Sequence, residues 1–171
     1  ARLLGSRSGS DDCFACMRDN FDPTVNWTDL DFIRSEWPGP LLIKGVLDEE
    51  DACEAAKLGA DGIVVSNHGG RQLDGASSTA RILPRIADAV GGDLLVLADG
   101  GVRSGLDVVR MLALGAQAVF LGRSWVYALA SGGASGVERL LATIEAEMRV
   151  VMSLVGVNRL EEIGRKILER D

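Results

Sequence analysis

His68 is the single histidine of a 171-residue chain, and it lies in a glycine-rich run directly after the apolar segment Gly62–Val65. A neutral imidazole near physiological pH suits a general base. Arg71, three residues later, carries a planar guanidinium that can bind a carboxylate through two parallel hydrogen bonds. The glycines between them let the backbone approach a flat ligand closely. The residues alone leave two alternatives open: a catalytic histidine beside a carboxylate-binding arginine, or an ordinary surface histidine.

Two further groups of glycine and arginine follow later apolar segments. Asp99, Gly101 and Arg103 form the first group, and Gly122 with Arg123 forms the second. Glycine amides at a helix N-terminus, together with an arginine, suit a phosphate dianion. In many (β/α)8 barrels the loops after the last two strands bind phosphate. The pattern therefore favours a phosphate-bearing cofactor, with solvated surface arginines as the alternative.

Lys44 directly follows a third apolar segment, residues 41–43. A lysine beside buried positions is unfavourable unless it faces a partner. Lys44 is therefore a candidate to stabilise negative charge on a cofactor, and an ordinary solvated strand end is the alternative.

These candidates are separated by alternating strand-like and helix-like segments, which predict a parallel sheet covered by helices. The predicted strands are residues 41–43, 62–65, 94–97 and 118–121. The predicted helices are residues 28–37, 49–58, about 84–90 and 105–114. Each candidate residue lies at or after the carboxyl end of a strand, where the active sites of barrel enzymes lie.

A shift of 56 residues superimposes part of the chain on itself. Gly45-Val46 falls on Gly101-Val102, and Leu58-Gly59-Ala60 falls on Leu114-Gly115-Ala116 without a gap. A quasi-repeat of βα units favours a (β/α) barrel over a doubly wound sheet. The sequence has no G-x-G-x-x-G run, which further weakens the dinucleotide-fold alternative.

The chain contains only four predicted strands before it becomes helical. Apolar residues at helical spacing predict a helix over residues 137–155, ended by Gly156, and Asn158 with Glu161 predicts the capping box of a last helix. A closed barrel needs eight strands and about 250 residues. We therefore predict an α/β fold, a (β/α)8 TIM barrel of which the chain holds the C-terminal half, strands 5–8 and the C-terminal helices. Residues 27–171 form this half, and residues 1–26 form a flexible lead-in.

Composition argues against several classes of function. The net charge of −7 disfavours nucleic-acid binding. No run of 18 apolar residues is present to span a membrane, and the first twenty residues lack the apolar region of a signal peptide. Cys13 and Cys16 form one C-x-x-C without a second pair, so no metal site is predicted. Three cysteines cannot form a closed disulfide framework, which favours a reducing, cytoplasmic location.

Four motifs together resemble the FMN-dependent 2-hydroxy-acid dehydrogenase and oxidase family. They are Leu42-Ile-Lys-Gly-Val46, Ser66-Asn-His-Gly-Gly-Arg-Gln-Leu-Asp74, Asp99-Gly-Gly-Val-Arg103 and Leu121-Gly-Arg123. The second motif is highly specific, and the order and spacing of all four agree with the family. The resemblance runs from about Trp27 to the end of the chain, and it is strongest to the bacterial branch that acts on lactate and mandelate.

The resemblance implies that the chain uses FMN to oxidise an L-2-hydroxy acid to the 2-oxo acid. It implies that His68 takes a proton from the substrate and that Arg71 binds the substrate carboxylate. It places Lys44 at the flavin N1 and C2 carbonyl, where it stabilises the reduced anionic ring, and Ser66 at the flavin edge. The residues assigned to the ribityl and phosphate end are Asp99, Gly101, Arg103, Gly122 and Arg123.

The family's first four strands have no counterpart in the chain. In the family they carry the rest of the flavin bed, two substrate-side tyrosines and the aspartate that orients the histidine. The chain's single tyrosine, Tyr127, fits neither tyrosine role. The expected partners are therefore the N-terminal barrel half and further copies of the chain in a homo-oligomer. The lead-in matches a loop that binds membrane in some members, so peripheral contact with the inner membrane stays open.

Two alternatives remain beside this interpretation. One is a non-catalytic half-barrel that binds a phosphate ligand or a partner chain. The other is a different FMN barrel enzyme, which would share the phosphate site but not the His-Gly-Gly-Arg loop.

Overall fold

The computed structural model describes residues 15, 16, 18–20 and 22–168, and its centre is a four-stranded parallel sheet. The strands, which lie side by side in chain order, are β1 (Leu42–Val46), β2 (Gly62–Val65), β3 (Leu95–Ala98) and β4 (Ala118–Val119). The helices are α1 (Trp27–Glu36), α2 (Glu49–Lys57), α3 (Thr79–Val90), α4 (Gly105–Ala113) and α5 (Arg123–Leu154). Because α2, α3 and α4 each connect two neighbouring strands, the chain forms consecutive βα units, as the alternation predicted.

Side chains alternate between the two faces of this sheet, and helices α2 to α4 cover one face. Ile63 and Val65 of β2 and Val96 of β3 point to the covered face and are buried. They pack in one cluster with apolar side chains of the helices, Ala52, Ala55, Leu83, Ile86, Val108 and Met111. On the opposite face, Leu42 and Leu95 are 43% and 41% exposed. The apolar side chains at the start of β1 and β3 on this face are therefore left open to a further layer.

Helix α3 begins at Thr79, earlier than the predicted start near Pro84. Thr79, Leu83, Ile86 and Val90 recur at helical spacing and are all buried, so packing against the sheet extends the helix toward its N-terminus. Pro84 lies inside the helix. The proline was therefore a poor marker of the boundary, because a buried apolar stripe outweighs one missing backbone hydrogen bond.

Helix α5 is longer than the predicted helix of residues 137–155, since it begins at Arg123. Gly132 and Gly133 interrupt it with non-helical backbone angles, so two helical stretches meet at a kink. The prediction of a last helix capped by Asn158 and Glu161 is wrong. Residues Leu160–Glu162 and Arg165–Ile167 form two separate 3-10 turns. Glu162, and not Glu161, accepts the backbone N–H of Asn158, at 2.8 Å.

The end of the described chain is attached to α3 by one arginine. The Arg165 guanidinium donates to both carboxylate oxygens of Asp88, at 2.7 and 2.8 Å, and to the Pro84 carbonyl oxygen at 2.9 Å. These hydrogen bonds hold the pKa of the Asp88 carboxyl below its usual value. The last 3-10 turn is thereby held against the outer helical layer.

The 56-residue repeat is also present in the backbone. Gly45 and Gly101 both have positive φ, 102° and 81°, and Gly59 and Gly115 have φ of 78° and 114°. Glycine adopts such angles without the steric penalty that other residues meet. The repeat therefore keeps two glycines with positive φ in both units, one near the carboxyl end of the strand and one after the helix.

The predicted flexible lead-in, residues 1–26, lies largely outside the described residues, as does Cys13 of the C-x-x-C pair. Within its described part, Ala15, Cys16, Arg18 and Asp19 are helical. Among the helices that the structure describes, none combines the length and apolar character needed to cross a bilayer.

Candidate active site

Three polar side chains from neighbouring strands meet at the carboxyl edge of the sheet. Lys44 lies in β1, Ser66 directly follows β2 and Asp99 directly follows β3. The strand register places all three on the face opposite the helices. The Lys44 Nζ lies 3.0 Å from Asp99 Oδ2 and 3.0 Å from Ser66 Oγ. Alternation along β1 is interrupted just after Lys44, because Gly45 is an extra residue in the β1–β2 register.

The Ser66 hydroxyl is the centre of this cluster. It donates to Asp99 Oδ1 and accepts hydrogen bonds from Lys44 Nζ and from the backbone N–H of His68, each at 3.0 Å. One donor and two acceptor positions are all that a hydroxyl offers. Ser66 is only 2% exposed, so its hydroxyl connects the Lys44–Asp99 ion pair to the histidine loop inside the protein.

His68 opens a tight left-handed turn. Its φ is 54°, and Gly69 and Gly70 follow with φ of 65° and 73°. Among the described residues, His68 is the only non-glycine with positive φ. Such a backbone is unfavourable for a residue with a Cβ and requires support from its surroundings. The turn exposes both the His68 and the Arg71 side chains at the carboxyl edge of the sheet.

A cavity of about 330 Å³ lies along this edge. Eight of the nine predicted site residues line it: Lys44, His68, Arg71, Asp99, Gly101, Arg103, Gly122 and Arg123. Ser66, the ninth, lies beneath and is hydrogen-bonded to three of them. In the described part of the chain the lining has four cationic side chains and one carboxylate, although the whole chain carries net charge −7. The cavity is therefore suited to an anionic ligand.

The two helix N-termini near the cavity differ in whether side chains already bond the backbone N–H groups of the first turn. At α4, Glu147 of α5 accepts the N–H of Gly105 at 2.6 Å, and Ser104 with Asp107 forms a capping box. At α5, among the described residues, no side chain caps the first turn and no acidic residue lies in it. Since an anion needs free N–H groups, the α5 N-terminus beside Arg123 is the better place for one.

A larger cavity of about 600 Å³ lies between α3 and α4. It shares Gly69, Gly100, Gly101 and Arg123 with the first cavity, but its lining lacks Lys44 and His68, as far as the described residues go. Its charged side chains are two arginines and two aspartates, so its charge is balanced among the residues described. The smaller cavity is therefore the better candidate for the active site.

The structure gives Asp99 two partners that the sequence did not indicate. The resemblance assigned it to the ribityl and phosphate end, and here its carboxylate pairs with Lys44 and Ser66. Arg123 also has a partner in the histidine turn, since its Nη2 donates to the Gly69 carbonyl oxygen at 3.3 Å. The roles of the nine residues remain predictions, whereas their proximity is a feature of the structure.

Sequence reasoning missed Asn67, Glu147 and Trp125. Asn67 stands two residues before Gly69, a spacing typical of an asparagine that caps a turn, so local turn chemistry could have identified it. Glu147 lies 42 residues beyond the N–H that it accepts, and no local signal indicates that contact. Trp125 lines the cavity from the first turn of α5, which the sequence analysis left without an element.

The parallel sheet, the helical layer and the cationic cavity at the carboxyl edge are the arrangement typical of (β/α)-barrel proteins, whose ligand sites lie at the strand ends. The family model described as FMN-dependent dehydrogenase matches residues 3–170. The chain belongs to this family.

Relatives of known name agree with this assignment. The chain is 64% identical over 170 residues to the L-lactate dehydrogenase of Caulobacter sp. (strain K31), covering 99% of this chain and 45% of that protein. It is 56% identical over 171 residues to the L-lactate dehydrogenase of Alcaligenes faecalis, again covering 45% of that protein. The chain thus spans about half the length of the curated relatives it matches.

Solved structures show the same arrangement. The monotopic membrane protein (S)-mandelate dehydrogenase superposes with a TM-score of 0.87 at 39% identity, over 92% of this chain and 42% of that one. Mandelate oxidase, solved with benzoyl-formic acid, gives a TM-score of 0.79 at 46% identity, over 84% of this chain and 42% of that one. The four parallel strands with their helices are therefore half of a TIM barrel, as the sequence predicted.

Proposed function

We propose that the chain is the C-terminal half of an enzyme that uses FMN to oxidise an L-2-hydroxy acid, lactate-like or mandelate-like, to the 2-oxo acid. The observation that carries the proposal is the cavity itself. It brings one histidine together with four cationic side chains at the carboxyl edge of the sheet. A cofactor phosphate and a substrate carboxylate are both anions, and the lining offers cations for each.

The residues present fit FMN at two separate places. The uncapped N-terminus of α5, with Arg103 and Arg123, supplies N–H groups and guanidinium donors for a phosphate. Lys44 supplies a positive charge for the flavin ring, and its ion pair with Asp99 holds it there. When bound, FMN accepts the two electrons that the hydroxy acid loses.

The chain's own residues then have distinct tasks toward the substrate. Arg71 binds the carboxylate through its planar fork, and His68 takes a proton from the substrate as general base. Their placement on one short turn fixes the distance between the group that binds and the group that reacts. Ser66 anchors the start of that turn, because its hydroxyl accepts the His68 N–H at 3.0 Å.

The proposal includes partners. The exposed Leu42 and Leu95 on the open face of the sheet support an N-terminal barrel half as the layer that covers it. Self-association into a homo-oligomer and a cytoplasmic location, with peripheral contact to the inner membrane, also belong to the proposal. The membrane contact is supported by the structural similarity to a mandelate dehydrogenase that is a monotopic membrane protein.

The test uses a chimera in which this chain replaces the matching 170 residues of the Caulobacter L-lactate dehydrogenase. The chimera is loaded with FMN, and the loss of flavin absorbance on mixing with L-lactate or L-mandelate is followed by stopped flow. We expect reduction by at least one of the two acids. His68→Gln should slow reduction by roughly 10²–10⁴-fold while FMN stays bound, because only the base is removed.

Asn158→Ala serves as the control, because Asn158 is exposed and far along the chain from the cavity residues. It should reduce FMN at the rate of the unmodified chimera. Two results contradict the proposal: no reduction of FMN by any 2-hydroxy acid, or near-normal reduction by His68→Gln.

A further inference from the structure

We infer that Asn67 is a positioning residue that holds His68 and Arg71 in their working geometry. The inference rests on the proposed function, since it assigns the two presented side chains their tasks. Asn67 lies between Ser66 and His68 and is partly buried.

Every backbone N–H of the turn from His68 to Arg71 has an identified partner. Ser66 Oγ accepts the first, from His68, and Asn67 Oδ1 accepts the second, from Gly69, at 2.9 Å. The Asn67 carbonyl oxygen accepts the third, from Gly70, at 3.0 Å, and the His68 carbonyl oxygen accepts the fourth, from Arg71, at 3.3 Å. Asn67 therefore supplies two of the four acceptors, one from its side chain and one from its backbone.

The second end of the Asn67 amide closes the loop. Its Nδ2 donates to the Ser77 carbonyl oxygen at 3.4 Å, across ten residues of chain. The same side chain also lies against the loop that follows β3, because a Cβ added to Gly100 would come within 3.1 Å of Asn67 Oδ1. One amide thus contacts the histidine turn, the far end of its loop and the Asp99–Gly101 loop.

This support is needed because His68 has positive φ, which an L-residue avoids. If the hydrogen bond from the Gly69 N–H to Asn67 Oδ1 is lost, the turn can relax toward ordinary backbone angles. That relaxation would move the His68 imidazole and the Arg71 guanidinium together. A displacement of about 1 Å can reduce a rate by about a hundredfold. The FMN content is expected to be unchanged, because Lys44 keeps its ion pair with Asp99, and because Arg123 bonds the Gly69 carbonyl oxygen and not the Gly69 N–H that Asn67 accepts.

The experiment compares Asn67→Ala, Asn67→Asp and the control Asn158→Ala in the FMN-loaded chimera. Asn67→Asp keeps an oxygen that can accept the Gly69 N–H, whereas Asn67→Ala removes it. We expect Asn67→Ala to slow flavin reduction by roughly ten- to a hundredfold with unchanged FMN content. Asn67→Asp should recover most of that loss, and Asn158→Ala should match the unmodified chimera.

Hydrogen exchange gives a readout that does not depend on turnover. In Asn67→Ala, the amides of residues 67–71 should exchange faster, while those of β2 stay protected.

The inference is overturned if Asn67→Ala reduces FMN at a rate within threefold of that of the unmodified chimera, or if Asn67→Asp is as slow as Asn67→Ala. It is also overturned if Asn67→Ala loses FMN or fails to fold, since Asn67 would then support the whole domain. If the unmodified chimera reduces no FMN, both the proposed function and the positioning role of Asn67 are overturned. If the unmodified chimera is active and the Asn67 variants reduce FMN at the same rate, only the positioning role is overturned.

Discussion

Ser66→Ala is the substitution with the most specific consequence for stability. It removes a hydroxyl that makes three hydrogen bonds in a side chain only 2% exposed. A buried hydrogen bond contributes about 1 kcal/mol net, so complete loss would lower the free energy of unfolding by about 3 kcal/mol. Lys44 keeps its ion pair with Asp99 and is half-exposed, so water can replace the hydrogen bond that its Nζ loses from Ser66. We expect a decrease of about 2 kcal/mol.

The assay is equilibrium unfolding of the FMN-free chimera in urea at 25 °C, with Ser153→Ala as the control. The Ser153 hydroxyl bonds only to a carbonyl of its own exposed helical turn among the described residues, so its loss should change stability by less than about 0.5 kcal/mol. A double-mutant cycle of Ser66→Ala with Asp99→Asn should show coupling of about 0.5–3 kcal/mol, because the two side chains touch. Equal effects of Ser66→Ala and Ser153→Ala, or purely additive effects in the cycle, would refute the central role of this hydroxyl.

Three further outcomes are expected. Arg71→Lys keeps the charge but loses the bidentate fork. Steady-state kinetics of the chimera should therefore show a large rise in KM with some loss of kcat. An unchanged KM would show that Arg71 does not bind the substrate carboxylate. Gly105→Ala should destabilise the chimera by about 1–3 kcal/mol in urea unfolding, because the added Cβ would lie 2.5 Å from the Ile144 carbonyl oxygen. The control Gly92→Ala should leave the stability unchanged, because a Cβ at Gly92 would meet nothing within 4 Å. Residues 1–171 alone should self-associate on gel filtration and leave 2-hydroxy acids unoxidised, because β1 and β4 have open edges and Leu42 and Leu95 are uncovered; a monomeric, yellow fragment that turns over lactate would contradict this.

The sequence predicted the elements wherever a short-range pattern carries the signal. The boundaries of β2 match the prediction residue for residue, because the apolar run between Asp61 and Ser66 is too short for a helix and is rich in β-branched residues. Helix α3 was placed too late because its start depends on burial against the sheet rather than on a local start signal. The prediction of a final helix failed because Gly164, in extended conformation, separates two short 3-10 turns, which a capping signal at Asn158 and Glu161 does not reveal.

The candidate site was predictable as a set of residues and not as a network. Strand ends of a parallel sheet meet at one edge, so the presence of Lys44, His68 and Arg123 along one cavity follows from the order of the elements. The pairing of Asp99 with Lys44 does not follow from it, because a carboxylate at a strand end can face several neighbours. Contacts such as that of Glu147 with the start of α4 depend on how two helices cross, which sequence spacing leaves undetermined.

The repeat at 56 residues conserves shape while allowing the surroundings to diverge. Gly59 and Gly115 make the same left-handed turn, yet a Cβ at Gly115 would lie 2.5 Å from the Ala87 Cβ, and one at Gly59 would meet nothing within 4 Å. The first unit carries a lysine just before its strand-end glycine and the second an arginine two residues after it, Lys44 before Gly45 and Arg103 after Gly101. Two copies of one backbone module thus supply two different cations to the lining of a single cavity. In such a barrel, repeated units can keep the same backbone turns and still contribute different functional groups, because only their side chains differ.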